Sequence, residues 1–332
     1  LYRAGLQDEQ ITVLVALGIH RPLTDAELTT LVGREVRSRV AVVNHDPDDV
    51  VDLGQTSRGT PVVVNRLFAE ASLRICTGNI DLHFFAGYAG GAKAMMPGIS
   101  TREAIRNNHR MMTSPESRSG NLERNPVRQD IDEAGKIARI DFILNAVLNE
   151  TKQVVGVVAG DPIAAHRMGC RLVDRMYKVD LPQTADLVIA GAGGYPKDLN
   201  VYQAQKALDN ASHAVRAGGV IIVIARCHEG LGEDVFEQWV SSNPSPEEVI
   251  RRIEQDFVMG GHKAAAIARV RQQATMILVS ELDPSLAEKC FFKPARSIEE
   301  AIQMAQDELG ENPRTLLMPY AGYTLPQVRD ER

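Results

Sequence analysis

Short runs of apolar residues alternate along this chain with longer segments in which apolar residues recur every three or four positions. The short runs are rich in Val, Ile and Leu, which is typical of strands buried on both faces. They predict strands at residues 11–18, 39–44, 61–65, 73–78, 141–149, 153–160, 185–193, 219–225, 275–280 and 315–320. The periodic segments predict amphipathic helices at residues 24–33, 100–112, 125–140, 161–177, 202–218 and 297–310. This alternation favours an α/β fold with mainly parallel sheets.

A domain boundary is predicted near residue 180, where a helix ends, a Pro-containing linker follows and a second series of strands and helices begins. We therefore expect two Rossmann-like α/β domains, at residues 1–180 and 181–314, and a C-terminal return segment at 315–332. The first residues, "LYRAGLQDEQITVLVALG", read as the end of a helix that runs into a strand. For this reason we expect the first domain to be truncated at its start.

The amino-acid composition of the chain argues against some classes of binding partner. The chain is 44% hydrophobic, 24% charged and only 5% aromatic, with a formal net charge of −6. This mild acidity and the scarcity of aromatic residues argue against nucleic acid or a membrane surface as a partner. The four cysteines are widely spaced and form no CxxC pair, which excludes a zinc knuckle and makes a disulfide framework improbable. With no long apolar run and no signal-peptide pattern, these features predict a cytoplasmic protein.

The segment "HFFAGYAGGAKAMMPG", residues 83–98, is the first candidate for a ligand site. It differs from a phosphate-binding P-loop because Lys93 is followed by Ala94 rather than by Ser or Thr. One interpretation is a turn in which Gly90 and Gly91 adopt positive φ angles. The other is that this backbone approaches a ligand to which Lys93 points. A lysine can bind phosphate as a point charge or, when desolvated, act as a nucleophile.

Histidines provide the second group of candidates. His20 and His83 both follow predicted strands, and ligands of α/β sheets bind at the carboxyl ends of strands. Both are therefore candidates for acid–base catalysis near neutral pH, with a structural role as the alternative. His109 lies within the helix predicted to begin near Ser100. The remaining histidines, including His166, are interpreted as structural or as lying at the rim of a site.

The segment "GAGGYPKDLNVYQAQKAL", residues 191–208, provides a third candidate. Here a strand runs through paired glycines into a helix predicted to begin after Asp198 or Asn200. Gln203 and Lys206 are three residues apart and share one helix face. Near a helix N-terminus, such a pair can bind a carboxylate or a phosphate, although a solvated helix face is the alternative.

Together these motifs resemble the nickel-pincer-nucleotide-dependent lactate racemase family. The resemblance rests on "ALGIHRP" (16–22), "HFFAGYAGGAKAMMPG" (83–98), "NNH" (107–109) and "GGYPKDLNVYQAQK" (193–206), which occur in the family's order and with its spacing. It runs through almost the whole chain. The family's upstream Asp-x-x-Arg-Pro motif is absent from this sequence, which agrees with the expected truncation.

The resemblance implies a role for each candidate residue. It implies two α/β domains with the active site in the cleft between them, and a cofactor, nickel pyridinium-3,5-bisthiocarboxylic acid mononucleotide. The implied roles are acid–base catalysis by His20 and His83, cofactor binding by Lys93, Gly90 and Gly91 with a covalent thioamide at Lys93, nickel ligation by His109, and substrate binding by Tyr202, Gln203 and Lys206.

The implied activity is racemisation or epimerisation of a 2-hydroxy acid by hydride abstraction and return. Enzymes that build the cofactor are the implied protein partners. Two alternatives stay open: a non-catalytic homologue that binds a ligand or the cofactor, and a nicotinamide-dependent 2-hydroxy acid dehydrogenase. The sequence leaves open the particular hydroxy acid and the oligomeric state.

Overall fold

The computed structural model describes residues 1–328. The chain divides between Leu172 and Val173 into two compact units. This division falls within a long helix at Ala164–Tyr177. Each unit has its own sheets and its own core, and each is described by itself.

The first unit consists of several small sheets and short helices. Its strands are β1 (Thr12–Val15), β2 (Ala41–Asn44), β3 (Val50–Gln55), β4 (Pro61–Asn65), β5 (Ile75–Ile80), β6 (Leu82–His83), β7 (Gly87–Tyr88), β8 (Phe142–Leu148) and β9 (Val154–Gly160). Its helices are α1 (Asp25–Val32), α2 (Arg34–Arg39), α3 (Arg66–Glu70), α4 (Arg102–His109), α5 (Pro126–Ile137) and α6 (Ala164–Tyr177).

Strand pairing in the first unit is mixed. β1 pairs with β2 and β5 pairs with β8 in parallel, as the alternating pattern predicts. β3–β4 and β8–β9 are antiparallel, because their connections are too short for the crossover of a dozen residues that parallel pairing needs. The β8–β9 turn is closed by the Asn149 N–H, which donates to the Gln153 carbonyl at 3.0 Å. β3 was not predicted, since its sequence, VVDLGQ, has only three apolar residues among its six.

The second unit is built on one parallel sheet. Its strands are β10 (Lys178–Leu181), β11 (Ala185–Gly191), β12 (Val215–Ile224), β13 (Thr275–Val279), β14 (Lys293–Ala295), β15 (Thr315–Met318) and β16 (Leu325–Val328). Its helices are α7 (Val201–Ser212), α8 (Asp234–Ser241), α9 (Pro246–Gln255), α10 (Gly261–Gln273), α11 (Pro284–Lys289) and α12 (Ile298–Leu309). The five-stranded sheet has the order β14-β13-β12-β11-β15, and all its neighbouring strands are parallel.

This sheet confirms the prediction of a Rossmann-like α/β architecture. Its strand order reverses between β11 and β15, which is the point where open α/β sheets bind ligands. The apolar runs of its central strands place Leu187, Val220, Ile222 and Ile277 in one buried cluster with the apolar face of α12. The segment predicted as a C-terminal return supplies β15 to this sheet, and its β16 pairs in parallel with β10.

Candidate functional site

The Gly-Lys turn follows the β6–β7 hairpin and forms a single 3-10 turn, Gly91–Ala94. Gly90 and Gly91 have φ angles of +78° and +63°, so the predicted positive-φ turn is present. A Cβ at Gly90 would lie 2.6 Å from Ile80, and one at Gly91 would lie 2.9 Å from the His166 ring. Packing within the protein therefore requires glycine at both positions. Their contact with a cofactor stays a prediction.

Lys93 projects from this turn and is partly buried. Its amino group makes no hydrogen bond or ion pair with any residue in the described range 1–328. Burial, and secondly the positive charge of Arg128, lower the pKa of Lys93 to about 7. A large fraction of this amine is therefore neutral and nucleophilic at physiological pH, in contrast to an ordinary surface lysine.

His109 is the last residue of α4 and is buried. The helix begins next to Ser100, as predicted, and the Thr101 side chain caps it by accepting a hydrogen bond from the Ala104 N–H. The ring nitrogen Nδ1 of His109 lies 3.0 Å from Asn108 Oδ1. Asn108 Nδ2 donates to Asp130 at 2.8 Å and to the Val127 carbonyl at 3.2 Å, so Oδ1 is the amide atom that faces His109.

This chain of hydrogen bonds assigns the proton on one ring nitrogen of His109. An amide oxygen accepts only, so Nδ1 carries a proton, and in the neutral ring the lone pair belongs to Nε2. Asp130 is fully buried and is held from its other side by Thr56 Oγ1 at 2.6 Å. Histidines that ligate metals through Nε2 commonly have Nδ1–H held in this way, so the metal-ligand role of His109 stays a prediction.

Phe85 brings His83 and His109 to the same place. The Phe85 ring lies edge-on to His83 with centroids 4.6 Å apart, and its centroid is 5.0 Å from that of His109. His83 Nδ1 accepts a hydrogen bond from the Ala86 N–H at 3.3 Å, and Asn125 Nδ2 donates to the Phe85 carbonyl at 2.9 Å. The acid–base candidate and the metal-ligand candidate therefore share one aromatic neighbour.

His20 lies in an exposed bend beyond the end of β1, the strand end at which the sequence placed it. The N–H groups of Leu17 and Gly18 both donate to the Gly98 carbonyl at 2.8 Å. Gly98 ends the segment that carries Lys93, and a Cβ at Gly98 would lie 2.0 Å from the Ala94 carbonyl oxygen. The turn of His20 is therefore anchored to the end of the Lys93 segment.

The substrate-binding candidates lie on α7 of the second unit. Asn200 caps this helix by accepting the Gln203 N–H at 3.0 Å, which confirms the predicted helix start. Gln203 is exposed, whereas Tyr202 and Lys206 are partly buried. Lys263, which sequence reasoning missed, places its ammonium 5.1 Å from the Tyr202 ring centroid. Burial, with the charge of Lys206 as a further lowering influence, brings the pKa of Lys263 to about 8.

Two other histidines are buried structural groups, in agreement with their interpretation from the sequence. The His166 ring lies against Gly91, and its Nε2 donates to the Ala89 carbonyl at 2.9 Å. His262 accepts the Gly260 N–H at 3.1 Å. Burial lowers the pKa of each ring to about 3, so both are neutral at physiological pH.

Within residues 1–328, no group of three or more His, Cys, Asp or Glu side chains is arranged to hold a metal ion. Over the same range, no helix has the length and apolar character needed to cross a membrane. The four cysteines are free and buried. A metal at His109 therefore needs donor atoms in addition to these side chains.

The fold is of the α/β class and carries histidines and a partly buried lysine as candidate catalytic groups, and comparison with known proteins identifies its family. Residues 1–120 match the family described as "Lactate racemase N-terminal domain", and residues 181–322 match "Lactate racemase C-terminal domain". The lactate racemase of Lactiplantibacillus plantarum is 34% identical over 327 residues, which cover 96% of this chain and 77% of that protein. The lactate racemase of Thermoanaerobacterium thermosaccharolyticum is 31% identical over 319 residues, covering 93% and 75% respectively.

Solved structures agree with this result. The lactate racemase apoprotein from Thermoanaerobacterium thermosaccharolyticum superposes with a TM-score of 0.87 at 30% identity, covering 97% of this chain and 79% of that one. The chain belongs to the lactate racemase family. It is an isomerase of the racemase class.

Proposed function

We propose that this protein interconverts the enantiomers of a lactate-type 2-hydroxy acid with a nickel-pincer nucleotide tethered to Lys93. The observation that carries the proposal is the partly buried Lys93 amine, which has no hydrogen-bond partner in residues 1–328 and a pKa near 7. A structural lysine at such a position would be paired with a carboxylate or a carbonyl. An unpaired, neutral amine suits the formation of a covalent bond to a carbonyl or thiocarbonyl carbon.

His109 fits the metal-binding part of the same cofactor. Its Nδ1–H is held by Asn108, as in many metal-binding histidines, and a neutral imidazole suits Ni(II) when soft sulfur donors complete the coordination. Such donors are the ones a pincer nucleotide brings with it. When bound, this cofactor supplies an acceptor and donor of hydride.

The proposed acid–base chemistry belongs to His20 and His83. As the substrate is oxidised to a planar 2-keto acid, one histidine removes the hydroxyl proton. When the hydroxyl group is restored on the opposite face, the other histidine donates a proton there. Because the reaction is symmetrical, each ring is the base for one enantiomer and the acid for the other.

Lys206 is the proposed carboxylate-binding residue. Its ammonium lies near that of Lys263, with the Asp209 carboxylate also near Lys263, and the N-terminus of α7 favours an anion. Tyr202 and Gln203 lie on the same first turn of the helix. Their contact with substrate is proposed here from the family resemblance.

The dehydrogenase alternative receives no support from the second unit. A dinucleotide site needs a tight glycine turn directly between strand and helix. Here β11 ends at Gly191 and α7 begins only at Val201, so a longer connection stands where that turn would be. The non-catalytic alternative is decided by the activity assay.

The test is racemisation of each pure lactate enantiomer by full-length protein produced together with the cofactor-building enzymes. We expect His20→Asn and His83→Asn each to lower the rate in both directions by about 10²–10⁴-fold. His228→Asn, an exposed histidine of the second unit, is the matched control and should keep full activity. No racemisation by the wild type would indicate a binding homologue, and near-full activity of either histidine variant would rule out the two-base scheme.

A further inference from the structure

Arg128 is a fully buried arginine whose contacts converge on one stretch of backbone. It lies on α5, and its guanidinium donates to three carbonyl groups that precede Lys93. Nε donates to Ala86 at 3.4 Å, Nη1 to Gly90 at 3.4 Å, and Nη2 makes a short bond to Tyr88. Its side chain therefore holds alternate carbonyls of residues 86–90.

The charge of Arg128 is only partly compensated. Its carboxylate partner Asp132, at 3.3 Å, also binds Arg167 at 2.7 Å. Two guanidinium groups thus share one carboxylate, and the cluster keeps a net positive charge in a region largely shielded from water. A buried charge with incomplete pairing is costly for folding, so its position calls for an explanation beyond stability.

Two other side chains also form hydrogen bonds with the same turn. His166 donates to the Ala89 carbonyl, and Asn145 Oδ1 accepts the Gly91 N–H at 2.8 Å. Among Arg128, His166 and Asn145, Arg128 contacts the most carbonyls of this turn and is the charged side chain. A planar fork with five donors can hold three carbonyls at once, which a lysine ammonium or an amide cannot do with the same geometry.

We propose that Arg128 is a positioning residue for Lys93: its guanidinium fixes the turn from which Lys93 projects and places an incompletely paired positive charge beside the Lys93 amine. The functional meaning of this role rests on the proposed function of Lys93 as the cofactor tether. The fixing of the turn and the effect of the Arg128 charge on Lys93 are properties of the protein without cofactor.

The charged groups around the turn support an electrostatic effect of Arg128 on the Lys93 amine. The elements packed against it are α5 and β5, together with α6 and β8, which contribute His166 and Asn145. Among the titratable groups of α6 near the turn, His166 is neutral, Arg167 pairs with Asp132, and the buried Cys170 thiol lies 3.6 Å from His166 Nε2. The acidic groups of α5 are engaged elsewhere: Asp130 with Asn108 and Thr56, Asp132 with the two arginines, and Glu133 with Ser57. Lys136 is the other cation of α5, and β5 carries the buried Cys76 thiol. After burial, the charge of Arg128 is the remaining cause that lowers the pKa of Lys93.

The experiment is competitive acetylation of the cofactor-free full-length protein with acetic anhydride between pH 5 and 10, with each lysine read by peptide mass spectrometry. In the wild type we expect the labelling of Lys93 to have its midpoint near pH 7. In Arg128→Met the midpoint should rise by about one pH unit, which is roughly a fivefold lower neutral fraction at pH 7. Lys263, in the other unit, is the internal reference and should keep its own midpoint, about 8.

Arg128→Lys separates charge from geometry. This variant keeps a positive charge but loses the fork, so the Lys93 midpoint should stay near 7 while amide hydrogen exchange of residues 86–91 becomes at least about tenfold faster. If Arg128→Met does not fold, Asp132→Asn serves instead, because it keeps both guanidinium groups and removes their shared carboxylate. There the Lys93 midpoint should fall below that of the wild type.

An unchanged Lys93 midpoint in Arg128→Met, or in Asp132→Asn where that variant replaces it, would overturn the proposal. So would unchanged amide exchange in Arg128→Lys. Both measurements use protein without cofactor, so they are independent of whether Lys93 forms the proposed adduct. Failure of the adduct alone would refute the proposed function and leave the role of Arg128 standing.

Discussion

The Asn108 side chain connects the buried Asp130 carboxylate to the His109 ring, and its removal tests how the metal-ligand candidate is held. In Asn108→Ala the carboxylate loses its 2.8 Å bond from Asn108, and His109 Nδ1 loses its acceptor at 3.0 Å. A hydrogen bond to a charged group contributes about 1.5–3 kcal/mol, and a buried donor without an acceptor costs about 1–3 kcal/mol. We therefore expect the free energy of unfolding, measured by urea denaturation, to fall by about 3–5 kcal/mol.

The effect on nickel distinguishes orientation from stability. Loss of a residue that orients a metal-binding imidazole typically lowers metal affinity about 10–100-fold. The assay is the nickel retained after dialysis of protein produced with the cofactor-building enzymes. Thr56→Val is the matched control, since it removes the 2.6 Å bond to the same carboxylate without touching the Asn108–His109 bond. Thr56→Val should lower the free energy of unfolding but retain nickel. Equal nickel loss in the two variants, or no nickel loss in Asn108→Ala, would refute this reasoning.

Two further predictions concern the Gly-Lys turn. Because the pKa of His166 is about 3 in the folded state and about 6.5 when unfolded, the unfolded chain binds the extra proton, and stability falls as the pH decreases from 6.5 to 3. His166→Asn should remove up to about 1.4 kcal/mol per pH unit of this slope in urea denaturation at pH 4.5–6.5, and an unchanged slope would contradict it. Gly91→Ala should lower the free energy of unfolding by about 1–3 kcal/mol more than Gly194→Ala does. Both glycines have positive φ angles, but only at Gly91 does the His166 ring lie within contact distance of an added Cβ. Equal losses of stability in the two variants would show that this contact is unimportant.

Local sequence signals predicted much of the fold. The Val-rich run at 61–65 forms β4 over the predicted residues, and the side chains of Thr101 and Asn200 begin α4 and α7 as expected. The antiparallel pairs were not predicted, since strand direction depends on the length of the connection rather than on the composition of the strand. β12 begins at Val215, four residues before its predicted start, because a polar surface segment continues the strand.

Only part of the candidate site could be predicted from the sequence. His20 and His83 were found by their place after strands, and the roles of Lys93 and His109 came from the family resemblance. Arg128 could not be singled out, because "VRQDIDEAG" reads as an ordinary amphipathic helix in which charged residues are expected to face water. Its burial depends on how α5 packs against the turn, and this long-range contact leaves no local pattern.

The most direct test of the central claim is the mass of the peptide that contains Lys93, taken from active protein produced with the cofactor-building enzymes. The proposed function predicts a covalent mass increment on Lys93, with nickel bound in proportion to it, and predicts that Lys93→Arg loses the increment, the nickel and racemisation together. Protein that racemises lactate while its Lys93 peptide keeps the unmodified mass would contradict it.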